Sequence, residues 1–329
     1  RAETPQEQFN LIGAGRRNLL SNGDFQVNQR GNGSGVSDAG YIGVDRWRGF
    51  ISANSTISFT QTAFANGQSD VDKALRHYLK FDWLGTSSTT TKILSQRLED
   101  VQTGNGQKVT LSFWGRTEHA DDCNIGLTQV FGSGGSSTVD HLSGTIDLTT
   151  DWQYFTHTFD LTSTSGKTIG TGSSLRLEFI FGPATLNSYF EVAGVQLETG
   201  KVATPFEHRA YGEELALCER YFQKVPIYNE SILGQAYSTT AARFPIQLPV
   251  QMRATPTLTV PPPGTSGNSF KPLSSSLSWP GGTGNNAGTA LSNRHFYITC
   301  TSYSGLVAGN ASTIYSASNN IFITASAEL

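Results

Sequence analysis

The chain has 329 residues, 15% of them charged, and Lys+Arg 23 against Asp+Glu 26 leaves a net charge of −3. That balance lacks the basic surface that displaces counterions from phosphates, so no nucleic-acid partner is expected. An aromatic content of 11% excludes charge-driven disorder, because so many rings must be buried, and the abundance of Gly, Ser, Thr and Asn suits an all-β chain with many turns.

Residues 1–8 contain no methionine and no apolar leader pattern, and 1–17 read as an N-terminal arm or linker, or as the middle of a longer chain. Alternation of apolar and polar residues then recurs in short runs, the mark of half-buried strands. Leu75, His77, Leu79, Phe81 and Trp83 share one parity, as do Val109, Leu111 and Phe113. So do Phe155, His157, Phe159 and Leu161, and Leu175, Leu177, Phe179 and Phe181; Val192 and the Val195–Leu197 pair close the series. Turn clusters separate the runs, among them Thr103-Gly104-Asn105-Gly106 and Gly132-Ser133-Gly134-Gly135-Ser136. This texture predicts a β-sandwich or jelly roll. No apolar stretch, Phe179-Ile180-Phe181 included, approaches the ~18 residues of a membrane helix, so no membrane insertion is expected.

One helix is predicted. Tyr211, Leu215, Cys218, Phe222 and Val225 follow a 4, 3, 4, 3 spacing, with Glu213 and Glu214 in the first turn, Arg220 and Lys224 near the end, and Pro226 as the stop. Its stripe suits either a helix lying on its own domain or a short bundle on a trimer axis. Beyond it, Phe244, Ile246, Leu248 and Val250 alternate, but Pro245 and Pro249 confine that segment to a sheet edge or bulge. Further strands are expected at 296–301, around Ile314 and at 321–325. The expected organisation is an arm (1–17), a jelly-roll sandwich (18–209), a connecting helix (210–225) and a smaller distal β-domain (226–329). Cys123, Cys218 and Cys300 are odd in number and far apart, with no metal-ligand spacing, and read as small buried hydrophobes.

Three segments carry a resemblance. Asn18-Leu19-Leu20-Ser21-Asn22-Gly23-Asp24-Phe25 leads through Gln29-Arg30-Gly31 to Tyr41-Ile42-Gly43-Val44-Asp45-Arg46-Trp47. Phe190-Glu191-Val192-Ala193-Gly194-Val195-Gln196-Leu197-Glu198 continues to Thr204-Pro205-Phe206-Glu207-His208-Arg209. Tyr211-Gly212-Glu213-Glu214-Leu215 then runs to Cys218-Glu219-Arg220-Tyr221-Phe222. Together they resemble the carbohydrate-binding-module-like jelly rolls of tailed-phage tail fibres and of phage head-fibre or spike proteins. The stretch 244–260 and the ending Ala325-Ser326-Ala327-Glu328-Leu329 look like the distal part of the same proteins. The resemblance implies a sandwich whose first and last strands are neighbours, a homotrimer, a virion location, attachment to other virion proteins through the N-terminal arm, and a host cell-surface polysaccharide as partner. Similar sugar-binding sandwiches carry a structural calcium, which would fall near Asp24 or Glu191; the sequence holds no oxygen-rich loop of EF-hand type, and no other cofactor is expected.

No catalytic constellation is visible. A glycosidase needs two facing carboxylates, and the adjacent pairs Asp121-Asp122 and Glu213-Glu214 read instead as a solvated turn and a helix start. The six histidines form no metal-ligand pair, His77 and His157 read as core histidines on apolar strand faces, and neither a GxSxG elbow nor a P-loop occurs. Sugars present a flat C–H face with a hydroxyl rim, which an aromatic ring flanked by polar groups can grip. Trp83, Trp114, Trp152, Tyr154 and Trp279 are the candidate rings. Trp114 and Trp152 have the parity opposite to the core positions of their strands, and Trp279 falls in a Ser-Trp-Pro-Gly-Gly loop. The expected function is non-catalytic adhesion by a virion fibre or spike subunit; the alternatives are a capsule depolymerase and the carbohydrate-binding module of a larger enzyme.

Overall fold

The computed structural model describes residues 16–36, 38, 40–52, 55–84, 91–119, 121–182, 188–227, 232–263, 270–273, 284–316 and 321–329. Two compact units emerge, one running to Leu215 and including Leu329, the other spanning Ala216–Glu328.

The first unit contains β1 (Gly33–Val36), β2 (Arg48–Ile51), β3 (Thr56–Ala63), β4 (His77–Leu84), β5 (Lys92–Glu99), β6 (Lys108–Thr117), β7 (Asp121–Val130), β8 (Val139–Leu148), β9 (Gln153–Asp160), β10 (Ser174–Phe181) and β11 (Ser188–Thr199). One sheet has the order β1-β3-β4-β11-β6-β9 and the other β2-β5-β10-β7-β8. From β4 onwards the chain changes sheet at every connection except the β7–β8 hairpin. The quartets β4-β11-β6-β9 and β5-β10-β7-β8 are those of an eight-stranded jelly roll. The strand order alone establishes this fold.

Side-chain alternation explains why the two sheets pack. Leu175, Leu177, Phe179 and Phe181 of β10 all point into the core, and so do Leu79, Phe81 and Trp83 of β4. Their rings form a connected series: Trp83 meets Phe181 at 5.0 Å between centroids, Phe181 meets Phe190 at 5.0 Å, and Phe113 meets Phe179 edge-on at 5.0 Å. Such pairs add to the stabilisation from burial alone. In β11, Val192 and Val195 are both fully buried although three residues apart. A register shift between Ala193 and Gln196 resolves that mismatch, with Gly194 at φ 57° forming the bulge.

The opening segment closes the sandwich without being a ladder strand. Leu19 N–H donates to Leu197 O (2.8 Å), Val195 N–H to Gly23 O (2.8 Å), and the Asn18 side chain bonds both Val195 O and Leu197 N–H. The resemblance implied neighbouring first and last strands; the first ladder strand, β1, instead pairs with β3, and it is the irregular segment 18–23 that lies along β11.

The predicted helix is shorter than its periodicity suggested. Helix α1 is Tyr211–Glu219, and Tyr221 N–H closes its last turn on Cys218 O at 2.9 Å. Phe222–Ile227 is strand β12, paired antiparallel with β20 (Ile321–Ser326). Pairing with that strand wins over the helical spacing, since Phe222, Val225 and Ile227 are strand formers. Pro226 sits on an edge strand, where a missing N–H costs least. Arg220 and Lys224 therefore lie beyond the helix, and Tyr211 is exposed rather than part of a buried stripe.

The second unit adds β13 (Leu233–Ala236), β14 (Ala242–Gln247), β15 (Thr257–Thr259), β16 (Phe270–Leu273), β17 (Asn285–Ala290), β18 (His295–Thr301) and β19 (Ala311–Ser316). A three-stranded sheet, β12-β20-β15, and a six-stranded sheet, β16-β19-β13-β14-β18-β17, contribute to one core that includes Ile227, Ile323, Phe244, Phe296, Ile298 and Ile314. Strand β14 is interior by order, yet β13 pairs with it only at Ala242 and Arg243, so Pro245 lies where that flank is open. The local edge character expected from the prolines is met within an inner strand.

Candidate functional site

The outward face of the β4-β11-β6-β9 quartet brings together side chains from strands far apart in sequence. Antiparallel register sets Trp114 between Ala193 and Tyr154, and sets Glu191 between Lys80 and Arg116. The face therefore carries an aromatic row and, two residues along each strand, a charged row.

In the aromatic row Trp114 and Tyr154 lie 5.3 Å apart at an interplanar angle of 50°, and Tyr154 is 47% exposed. Trp152 packs with Tyr78 (5.5 Å, edge-on) and Phe64 (5.6 Å). Beneath these rings lie Val71, Leu75 and Ala193, a small apolar cluster separate from the main core. The outward parity read for Trp114 and Trp152 is correct, but both are half-buried by this cluster, and Tyr154 offers the most open ring of the three.

The charged row is fully paired. Arg116 Nε donates to Glu191 Oε2 at 2.5 Å, and its guanidinium lies 5.0 Å from the Trp152 ring centroid. Lys80 Nζ is 2.8 Å from Asp82 and 4.2 Å from the centre of the Tyr189 ring. Burial opposes charge on Arg116 and Lys80, but the carboxylates they bond outweigh it and hold both above their ordinary ranges. Burial, reinforced by the Glu191 carboxylate, pushes the Tyr78 phenol up, so it stays a neutral hydroxyl at physiological pH. The face thus offers ring surface beside fixed donors and acceptors.

The other expected residues fall elsewhere. Trp83 is fully buried against Phe81 and Phe181, as its shared parity with Leu79 and Phe81 requires, and contacts no solvent. Trp279 lies outside the described residues. Asp24 and Glu191 have different partners: Asp24 is raised by burial and faces the charges of His208 and Arg209, whereas the Glu191 carboxylate is held by Arg116. Among the described residues no group of three or more His, Cys, Asp or Glu side chains is arranged to hold a metal ion. The three cysteines are free and buried.

The five buried carboxylates among the described residues are all engaged. Asp45 meets Arg30, Glu178 meets Arg176, Glu191 meets Arg116, Glu198 meets Thr204 and Gln196, and Glu214 meets Arg209. Lys80, Tyr78, Arg116 and Tyr189 were absent from the sequence-based candidates. The signal for two of them was present, since Arg116 shares the parity of Trp114, and Lys80 that of Tyr78.

No protein-family model matches the sequence, and no curated protein matches it either. Among solved structures the chain is similar to the family 11 carbohydrate-binding module of the cellulase Lic26A-Cel5E of Clostridium thermocellum, at 14% identity, TM-score 0.34, over 53% of this chain and 98% of that one. A family 4 module is similar at 19% identity and TM-score 0.32, over 55% of this chain and 99% of that one. The enzymatically active domain of tailspike protein 4 of bacteriophage CBA120 is similar at 10% identity and TM-score 0.35, over 56% of this chain and 21% of that one.

Proposed function

We propose that the protein binds carbohydrate without chemically altering it, and that it does so as a fibre or spike subunit of a phage particle that adheres to host-surface glycans. The observation that carries the binding reading is the register placing Trp114 beside the exposed Tyr154, next to the Lys80–Glu191–Arg116 row. Two tilted rings cover apolar sugar faces, while the row and the Tyr154 hydroxyl serve the hydroxyl rim. The engagement of all five buried carboxylates by hydrogen bonds or ion pairs supports a non-catalytic role. The virion location rests on the resemblance of segments 18–31, 190–209 and 211–222. A homotrimer would raise weak single-site binding by effective concentration.

The carbohydrate-binding module of a larger enzyme is a second reading, favoured by the jelly roll alone, which would serve a module equally well. Incubating the full chain with purified host polysaccharide tests non-catalytic binding, common to both readings, against a depolymerase. Retention of the protein with no new reducing ends is the expected result. New reducing ends would establish a depolymerase, and no retention on any polysaccharide would overturn the binding role.

A further inference from the structure

The second unit differs in charge from the chain that carries it. Between Ala216 and Glu328 there are six Lys or Arg and three Glu, with no Asp, so this segment is formally +3 in a chain of −3. Its six-stranded sheet also holds an open trough of about 750 Å³ between β13, β14 and β18, lined by Gln235, Tyr237, Arg243, Pro245, Leu291 and Tyr297.

Arg243 is the centre of this trough. Its guanidinium lies 4.3 Å from the ring centroid of Tyr297 and 5.2 Å from that of Tyr237. It is exposed, and among the described residues no carboxylate or carbonyl accepts from it. The contrast with the first unit is sharp: Arg116 and Lys80 there are both neutralised by acids. Two rings fix the orientation of Arg243, so much of the rotamer entropy of a long side chain is spent before any ligand arrives. What is left is a planar fork of N–H donors that no carboxylate or carbonyl among the described residues engages, and that geometry matches a carboxylate in a two-bond arrangement. Tyr237 is 48% exposed and Leu291 63% exposed on the same rim, giving flat apolar surface beside the cation. A single fork between rings suits one acid group on a ring-shaped molecule better than a polyphosphate backbone, which calls for a track of several cations.

We propose that this trough is a second carbohydrate site, selective for sugars that carry a carboxylate, such as uronic or sialic acids, with the acid on Arg243 and the sugar ring against Tyr237. The proposal takes its ligand class from the carbohydrate-binding reading but uses none of the residues of the sandwich face.

The test uses the full chain and three acidic probes: oligogalacturonate, hyaluronan oligosaccharides and α2,8-linked oligosialic acid. Each is paired with its carboxyl-reduced form, and affinities are compared by titration. At least one acidic probe should bind about tenfold or more tightly than its reduced form, an increment typical of one charge-assisted bidentate contact. R243Q should abolish that preference, and R243K, which keeps the charge but loses the fork, should restore only part of it. Both variants should stay folded, since they keep the backbone pairing of Arg243 with Gln235 and Thr299 and change only an exposed side chain whose ring contacts are weak at such a site. The combined variant W114A/Y154A should leave the preference intact. The proposal falls if no acidic probe exceeds its reduced partner, or if R243Q keeps the preference. Loss of neutral-glycan binding in W114A/Y154A, with R243Q unchanged on every probe, would remove this site and leave the sandwich-face reading standing.

Discussion

Asn22 shows how single residues tie the sandwich together. At φ 56° its side chain bonds Val27 on both of its polar atoms and donates to Asp45 O, while its carbonyl accepts from Trp47 Nε1. Asparagine tolerates this left-handed conformation better than most residues. Its own N–H donates to Glu214 at 2.5 Å, and Glu214 is in turn paired with Arg209 at 3.3 Å. Arg209 also donates to the carbonyls of Leu20 and Asn18. The segments that carry the family resemblance are therefore the ones that clasp each other, which is a structural reason for that combination of residues. Arg209→Met would leave the buried Glu214 carboxylate without its cation. It should cost about 3 kcal/mol, seen as a melting point lowered by roughly 10 °C. A change of a degree or less would show that the clasp contributes nothing.

Three histidines set an acid limit at the same scale. Burial pushes His77, His141 and His157 below the ordinary value of 6.5. As the pH falls through 6.5, the unfolded chain binds more protons than the folded one, so stability declines in that direction. Melting points taken from about pH 7.5 down to 5.5 should fall, and H77N/H157N should flatten the slope. Comparing the two slopes isolates the histidines from Asp24 and Glu214, whose carboxyls burial raises and which act in the opposite sense. Equal slopes would remove this account.

At the scale of elements, parity was legible and pairing was not. The alternation in β4, β6, β9 and β10 identified core faces correctly because one buried and one wet face impose a period of two. The helix was overread because its second heptad, Phe222 and Val225, serves equally well as a strand, and only the partner Ile321–Ser326, about a hundred residues downstream, decides between them. The partner of Glu191 was hidden for a related reason: Arg116, which holds its carboxylate, is 75 residues away. The trough around Arg243 was invisible in the sequence, because its rings come from a turn and a strand 60 residues apart. The bulge in β11 yields a further prediction. Gly194 has φ 57°, and a side chain there would meet Leu75 Cδ1 at 2.9 Å. Gly194→Val should cost about 2–3 kcal/mol through backbone strain and overpacking, measured by denaturant unfolding. A neutral outcome would mean the bulge can shift.

At the scale of the whole molecule, an α1 of only nine residues offers little for a trimer-axis bundle, so self-association would rest on other surfaces. Exposed apolar side chains such as Leu233 and Val307 in the second unit are available for it. The fibre reading expects light scattering to give about three times the 35.5 kDa chain mass, and a monomer at every concentration would favour the module of a larger enzyme. The rings decide the central question, since the account holds that Trp114 and Tyr154 grip a sugar. The most direct measurement is a glycan array probed with the wild type and with W114A/Y154A. The account predicts signal on at least one surface glycan for the wild type, reduced about tenfold or more in the folded variant. Wild-type protein silent across the array, or a variant that binds as strongly as its parent, would contradict it.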